Sequence, residues 1–196
     1  MERAKREYFE KETLEVAKNI LGDFIIRKTK NNLIRAKIIE VEAYIGPEDQ
    51  ASHTRNNKKT KRNKVVWKRG GHLYVYLTYG IHWMLNIVTE KKSVPECVLI
   101  RAVETVKGLE LIKENRKIKS KKIEELTNGP GKLSQALKID KSFDGCDLVK
   151  SNNLYLIENE IKNLNIKSVP RVNIDYAEEY KNKKWRFCIK NNKFIS

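Results

Sequence analysis

The fold of this chain follows from one stretch, Leu73 to Glu90, which reads LYVYLTYGIHWMLNIVTE. Aromatic and branched residues alternate along it, as is typical of β-strands, and Gly80 interrupts the pattern. The stretch therefore predicts two strands, or one long bent strand, with a turn at Tyr79 and Gly80. Tyr74 and Tyr76 fall on the same face of the first strand, so that face is aromatic.

Further strands and helices are predicted on both sides of this stretch. Strand patterns occupy residues 24–27, 33–41, 97–103, 153–157, 161–166 and 185–189, and helical spacing occupies residues 14–21, 106–117 and 129–137. The strands come in neighbouring runs and do not alternate strictly with helices. This order favours an α+β fold in which helices flank a curved, largely antiparallel β-sheet. A length of 196 residues suits one domain, which we expect to span residues 1–196.

The charge of the chain indicates its class of partner. The formal net charge is +16 and the isoelectric point is about 9.7, which suits a polyanion such as nucleic acid or an anionic membrane. No apolar run approaches the roughly 20 residues of a spanning helix, and Met1 to Glu10 lacks the apolar core of a signal peptide. We expect a cytoplasmic, bacterial-type protein that does not bind membranes and associates with the nucleoid through DNA. Part of the charge can also reflect the lysine and asparagine usage of an AT-rich genome.

The cysteines and histidines give no sign of a metal or a disulfide. Cys97, Cys146 and Cys188 lie far apart and form no C-x-x-C pair, and the three histidines lack the spacing of zinc ligands. Cys97 lies in an apolar strand pattern and is expected in the core. We therefore expect a reduced, intracellular protein that needs neither a metal nor a cofactor.

A candidate site lies at VEAYIGPEDQASHTR, residues Val41 to Arg55. Glu42 and Tyr44 share a face if the preceding strand continues, and Gly46-Pro47 turns the chain before His53. A carboxylate, an aromatic ring and an imidazole can therefore meet around a flat ligand. The alternative is a strand that ends in an ordinary polar loop.

Acidic residues near Glu42 leave a second chemistry open. Strict alternation places Glu40, Glu42 and Tyr44 on one face, with Glu48 and Asp49 close by in sequence. Such a cluster could bind a divalent metal, as in a metal-dependent nuclease.

Two residues of the aromatic stretch are candidates for nucleic-acid contact. Tyr79 precedes Gly80 at a predicted turn, and an exposed ring on a basic protein can insert between base steps. Asn86 lies among apolar residues, where an amide without partners costs about 1–3 kcal/mol. Its amide therefore either satisfies backbone groups or reads a base edge.

Several motifs, in this order along the chain, resemble the alkyladenine DNA glycosylases, also called 3-methyladenine or methylpurine DNA glycosylases. They are EVEAYIGPEDQASH, KTKRN, GGHLYVYLTYGIHWMLN, VLIRAVE and LTNGPGKLSQALKID. The resemblance covers nearly the whole chain. It implies a monofunctional base-excision-repair enzyme that acts on double-stranded DNA as a monomer. Such an enzyme extrudes a damaged purine (3-methyladenine, 7-methylguanine, hypoxanthine or ethenoadenine), hydrolyses its N-glycosidic bond and leaves an abasic site.

The resemblance also implies roles for individual residues. Glu42 matches the general base that activates water, and Arg101 matches an arginine that helps to hold this water. Tyr44 and Tyr76 match rings that sandwich the extruded base, and His53 matches the residue that stacks opposite.

Further matches concern the edge of the pocket and the DNA. Asn86 matches an amide that helps to exclude guanine, and Tyr79 matches the residue that fills the gap in the duplex. Arg62 and Asn63 match the family pattern in a basic run that also contains Lys61. We expect this run to contact phosphates, which position a duplex without reading its sequence.

The chain departs from the family pattern near its end. Asn173 stands where a glycine is usual, and Lys184 precedes Trp185 where a proline is usual. The lysine-rich segment from Lys113 to Glu125 is also weakly matched. Two other functions stay open, a glycosylase/lyase that uses a lysine Schiff base and a basic nucleic-acid-binding module without catalysis.

Overall fold

A computed structural model describes residues 1–118, 122–160 and 163–196. Its strands are β1 (Phe24–Lys28), β2 (Leu33–Ile45), β3 (Leu73–Thr78), β4 (His82–Val88), β5 (Glu96–Lys107), β6 (Leu154–Ile157), β7 (Ile166–Val169) and β8 (Arg186–Ile189). Its α-helices are α1 (Arg6–Phe9), α2 (Thr13–Asn19), α3 (Leu109–Arg116) and α4 (Pro130–Ala136). Among the described residues, no helix has the length and apolar character needed to cross a membrane.

All eight strands belong to one antiparallel sheet with β2 at its centre. The order along the sheet is β3-β4-β5-β2-β1-β6, and β8 pairs with both β2 and β7. One edge of β2 pairs with β5, while the other edge pairs first with β1 and then, from Glu40 to Glu42, with β8. The predicted α+β fold with a largely antiparallel sheet is confirmed.

The aromatic stretch forms two strands, and not one bent strand. In the hairpin of β3 and β4, Thr78 pairs with His82, so Tyr79, Gly80 and Ile81 form the loop. Tyr79 and Gly80 have φ angles of 50° and 72°, in the left-handed region that glycine adopts readily and other residues seldom adopt. The turn therefore lies at the two predicted residues.

Around Glu40, the pairing of β2 with β5 contains two compensating irregularities. Ile38 pairs with Val103 and Glu40 with Ala102, which leaves Ile39 as an extra residue in β2. One step further, Val41 pairs with Ile100, which leaves Arg101 as an extra residue in β5. Bulges of this kind change the direction of a side chain and are common beside active sites.

The two faces of the sheet have different partners. Leu73 and Val75 of β3 join the main core, to which α2 and α4 also contribute. Tyr74, on the opposite face of β3, joins a smaller cluster with Cys97, and Tyr76 packs against that cluster. The α-helices thus cover one face, while the aromatic face packs against the 3-10 helix Lys64–Trp67. Cys97 is buried in this cluster, as expected.

Some predicted boundaries differ from the structure. The helix expected at 106–117 is shorter, because β5 runs to Lys107 and Gly108 adopts a φ of 89° before α3 begins. In the strand expected at 161–166, residues 161 and 162 lie outside the described residues, and β7 begins only at Ile166. Residues 119–121 of the lysine-rich segment also lie outside them, and a 3-10 turn follows at Ile123–Leu126.

Candidate active site

A cleft of about 580 Å³ opens at the C-terminal half of β2. Its size lies within the range of ligand pockets. The cleft brings together seven of the residues predicted from the sequence, namely Glu42, Tyr44, His53, Arg62, Tyr76, Tyr79 and Arg101.

Glu42 lies on the floor of the cleft, and its side chain is fully buried. One carboxylate oxygen, Oε1, accepts a hydrogen bond from the backbone amide of Val172 at 2.8 Å and lies 3.3 Å from Nη1 of Arg101. The other oxygen, Oε2, accepts from the Tyr44 hydroxyl at 2.9 Å. Hydrogen-bond donors on both oxygens fix the position of the carboxylate and stabilise its negative charge.

Arg101 bridges the two glutamates of β2. Its Nε donates to Oε1 of Glu40 at 3.2 Å, while Nη1 faces Glu42. Glu40 is also fully buried, and it accepts from Arg186 at 3.0 Å and from the Ser196 amide at 2.7 Å. The bulge at Arg101 thus gives both buried carboxylates a cationic partner, which a buried charge requires.

The position of Arg101 argues against a metal-dependent nuclease. A guanidinium lies between Glu40 and Glu42, where a shared cation would have to bind. The described residues contain no group of three His, Cys, Asp or Glu residues arranged to hold a metal ion. Glu40 and Glu42 therefore form ion pairs within the protein.

A buried ion pair between Asp49 and Arg171 supports the floor. The guanidinium contacts both carboxylate oxygens, at 2.5 and 2.8 Å, and lies between the rings of Tyr44 and Trp185, at 4.8 and 5.1 Å from their centres. This pair holds the segment that presents the amide of Val172 to Glu42. Sequence reasoning missed it, because the partners lie 122 positions apart and neither belongs to a periodic pattern.

The structure explains one of the two departures near the end of the chain. Asn173 has a φ of 57°, in the left-handed region, where glycine is favoured and asparagine is the best-tolerated substitute. Trp185, which follows Lys184, packs on Arg171 and lies 5.9 Å from the ring of Tyr180. Nothing in the structure explains the change at Lys184.

Aromatic side chains form the wall beside Glu42. The rings of His53 and Tyr76 meet edge to face at 4.6 Å, and the rings of Tyr74 and Tyr76 lie 5.1 Å apart. Nδ1 of His53 lies 2.8 Å from the Tyr74 hydroxyl. Tyr74 was predicted on this face, but its bond to His53 joins two elements and was not foreseen.

Burial controls the protonation of these groups. Desolvation, together with the charges of Arg62 and Arg55, lowers the pKa of His53 to about 4, so the imidazole is neutral at pH 7. Desolvation raises the pKa of Tyr44 well above its usual value, and the neighbouring Glu42 charge adds to the effect. The Tyr44 phenol therefore keeps its proton and remains a donor to Glu42.

Asn86 lies behind the cleft and is buried. It lines a small inner cavity together with Tyr44, His53 and Tyr76. Its Nδ2 donates to the Tyr74 carbonyl at 3.1 Å. Its amide therefore satisfies a backbone group and also borders the space next to the aromatic wall.

The predicted DNA-contacting residues occupy different environments. Tyr79 is 82 % exposed at the tip of the hairpin. Lys61 is exposed in the loop of residues 53–64, which we call the basic loop. The Arg62 guanidinium donates to the Leu77 carbonyl at 3.0 Å and lies 5.0 Å from the centre of the Tyr76 ring. Arg62 thus links the basic loop to the hairpin.

Asn63 is buried inside the basic loop. Its Nδ2 donates to the carbonyls of His53 and Lys58, both at 2.8 Å, and its Oδ1 accepts from the Thr60 amide at 2.7 Å. The structure thus places its amide where it shapes the loop that carries His53 and Arg62.

Two further cations of the cleft were not predicted from the sequence. They are Arg116 of α3 and Lys132 of α4. The lining of the cleft thus combines cations, aromatic rings and a buried carboxylate. This combination is typical of enzymes that act on nucleic acid.

Comparison with known proteins identifies the family. Residues 7–193 match the family model described as methylpurine-DNA glycosylase (MPG). A protein of Natranaerobius thermophilus, named "Putative 3-methyladenine DNA glycosylase", is 48 % identical over 97 % of this chain and 96 % of its own length. A protein of Clostridium novyi with the same name is 43 % identical over 100 % of this chain and 99 % of its own.

The chain therefore belongs to the methylpurine-DNA glycosylase family. It is an enzyme that hydrolyses N-glycosyl bonds, and the resemblance inferred from the sequence motifs is confirmed.

Proposed function

We propose that this enzyme excises alkylated purines from double-stranded DNA, with Glu42 as the general base, and leaves an abasic site. The observation that carries the proposal is the position of Glu42, which is buried on the floor of the cleft beside an aromatic wall. Two hydrogen-bond donors and the Arg101 guanidinium hold its carboxylate. The family match and the names of the relatives support 3-methyladenine as a substrate. We propose 7-methylguanine, hypoxanthine and ethenoadenine as further substrates.

The first step is extrusion of the damaged nucleotide. The bond to be cut lies inside the duplex, so the nucleotide must leave the base stack at a cost of a few kcal/mol. The exposed ring of Tyr79 can fill the gap, while Lys61 and Arg62 hold the phosphates. These contacts position the duplex without reading its sequence, as repair of scattered lesions requires.

The extruded base then stacks on the rings of Tyr44, His53 and Tyr76. Stacking of a base on an aromatic ring contributes about 1–3 kcal/mol. A neutral His53 suits a purine that alkylation has made cationic, since a protonated imidazole would repel it. In the tautomer that we assign, Nδ1 accepts from the Tyr74 hydroxyl, so Nε2 carries the proton and can donate to the base.

Hydrolysis requires a single carboxylate. Glu42 takes a proton from water, the water oxygen forms a bond to C1′ of the sugar, and the C1′–N bond breaks with its electron pair moving to the base. The sugar passes through an oxocarbenium-like state, whose positive charge the carboxylate balances. A cationic alkylpurine leaves as a neutral base without a proton donor, whereas hypoxanthine requires protonation.

The lyase alternative has less support. It requires an amine activated by burial or by a neighbouring charge. Among the described residues that line the cleft, the lysine is Lys132, which is exposed and donates to Asn128 at 2.8 Å. Borohydride treatment during excision distinguishes the two mechanisms, because only a Schiff base is trapped as a covalent protein–DNA adduct.

The decisive experiment is single-turnover excision from duplex DNA treated with a methylating agent, followed by chromatography of the released bases. The wild-type enzyme should release methylpurines. Glu42→Gln, which keeps the shape of the side chain, should reduce the rate about 10²–10⁴-fold, as expected for loss of a general base. Its binding to damaged duplex should persist.

The matched control is Glu110→Gln, which alters an exposed glutamate of α3 that pairs with Lys113. This variant should excise like the wild type. Equal rates for Glu42→Gln and the wild type would remove Glu42 from the mechanism. Binding to DNA with no release by the wild type would favour the non-catalytic module.

A further inference from the structure

Tyr176 is an exposed aromatic residue that no step above uses. It is 63 % exposed and lines the cleft that contains Glu42. The residues that flank it are anchored, since Ile174 and Ala177 are buried in a cluster with Ala51. The Ala177 amide also donates to the Ile174 carbonyl at 2.9 Å, which closes a turn around Tyr176. An anchored loop therefore presents this ring to solvent.

Tyr176 also lines a second cavity of about 400 Å³, which we call the basic side cavity. Arg55, Lys58 and Arg62 supply three cationic side chains there, and no described acidic residue lines it. The hydroxyl-bearing Thr60 adds a possible donor. A cavity with this lining suits a phosphate group of a DNA strand.

The position of Tyr176 between the two cavities suggests what its ring would meet. A strand whose damaged nucleotide lies in the cleft continues through the neighbouring nucleotide to the next phosphate. If that phosphate occupies the basic side cavity, the neighbouring base lies at the boundary of the two cavities, beside the Tyr176 ring. Tyr79, at the hairpin tip, lines the same cleft. Desolvation raises the pKa of the Tyr176 hydroxyl, and Tyr79 is near enough to contribute to this rise.

We propose that Tyr176 is a second stacking residue for DNA, whose ring packs on the base next to the extruded nucleotide. This inference rests on the proposed function, because it requires a nucleotide in the cleft. It assigns the two exposed rings different tasks, since Tyr79 fills the gap in the duplex and Tyr176 supports the neighbouring base of the damaged strand.

The test measures binding and stacking in the Glu42→Gln background, which prevents excision. The probe is a duplex that contains ethenoadenine with 2-aminopurine at the adjacent position, on the 5′ side in one duplex and on the 3′ side in another. Stacking on tyrosine should quench the 2-aminopurine fluorescence on one of the two sides. Tyr176→Ala should abolish this quenching and raise the Kd about 5- to 150-fold, which corresponds to about 1–3 kcal/mol for one stacked base.

Two further variants separate stacking from a structural role. Tyr176→Phe keeps the ring and should retain both the quenching and the affinity. Tyr176→Leu keeps an apolar side chain without the ring and should behave like Tyr176→Ala. Thermal melting of all three should match the parent, because most of the Tyr176 side chain is exposed.

Unchanged Kd and unchanged fluorescence in Tyr176→Ala, on both sides of the lesion, would overturn the inference. That outcome together with normal excision by the wild-type enzyme would leave the proposed function intact. Failure of the wild-type enzyme to release any base would instead contradict the proposed function itself.

Discussion

The floor of the cleft consists of buried, paired charges, whereas its rim carries exposed aromatic rings. On the floor, Glu40, Glu42 and Arg101 are buried in the sheet, and each charged group has an ionic or hydrogen-bonding partner. On the rim, Tyr79 and Tyr176 stand in turns with most of their surface exposed. The floor thus depends on the register of the strands, whereas the rim depends on local turn geometry.

The difference shows where the protein is sensitive to change. Removing one partner of a buried ion pair leaves an uncompensated charge, which is strongly destabilising. Removing an exposed ring costs little in folding and acts on binding alone. Substitutions on the floor should therefore change stability or chemistry, and substitutions on the rim should change affinity for DNA.

The largest effect is expected for Asp49→Ala, which leaves Arg171 buried without its carboxylate. The free energy of unfolding should fall by about 3–5 kcal/mol, measured by urea denaturation. Glu2→Gln is the control, because Glu2 belongs to an exposed pair with Lys5 at 3.7 Å and should have almost no effect. Equal stabilities for the two variants would show that the buried pair is not a support of the floor.

Glu40→Gln should slow excision without weakening the binding of DNA. The substitution keeps the shape of the side chain but weakens its bonds to Arg101 and Arg186, so Arg101 loses its fixed position beside Glu42. A charge-assisted hydrogen bond is worth about 1.5–3 kcal/mol, which predicts a rate loss of roughly 10- to 150-fold. Single-turnover rates at saturating enzyme measure this loss. An equal loss of affinity for DNA would show that Glu40 does not act on the excision step alone.

Tyr79→Ala should weaken the binding of DNA without changing the stability of the protein. Affinity for a lesion-containing duplex should fall by about 1–3 kcal/mol, while the urea midpoint stays at the wild-type value. Tyr79→Phe serves as the control that keeps the ring. An excision rate and a Kd that both match the wild type would exclude a role for this ring in extrusion.

The smallest effect concerns His53, which lies between floor and rim. Its pKa is about 4 in the folded protein against a usual 6.5, so the unfolded chain binds more protons between these values. Its contribution to stability is complete above pH 6.5 and is lost as the pH falls toward 4. Because His53 is partly exposed, we expect a modest slope. The urea midpoints at pH 7 and pH 5 should differ more in the wild type than in His53→Gln. An equal difference in the two proteins would refute the lowered pKa of His53.

The sequence predicted what local patterns encode. Alternation along β2 placed Glu42 beside Tyr44, and the hydrogen bond between them agrees with that expectation. The aromatic alternation and Gly80 gave the hairpin and its turn. Arg101 was identified only by resemblance, because its approach to Glu42 depends on a bulge that leaves no local signal.

Other parts of the site depend on contacts between distant segments. The pairing of Asp49 with Arg171 joins positions that no periodicity connects. Tyr176 lies in an irregular loop, where an exposed ring has no pattern to distinguish it. For such residues the three-dimensional arrangement is the first source of information.

The hydrogen bond from Val172 to Glu42 also has a consequence for synthesis of the protein. The donor follows the acceptor by 130 positions. At a translation rate of about 5–20 residues per second, roughly 6 to 26 seconds separate their appearance on the ribosome. A nascent chain that has not reached residue 172 lacks this contact, so on our assignment no copy shorter than 172 residues has the complete active site.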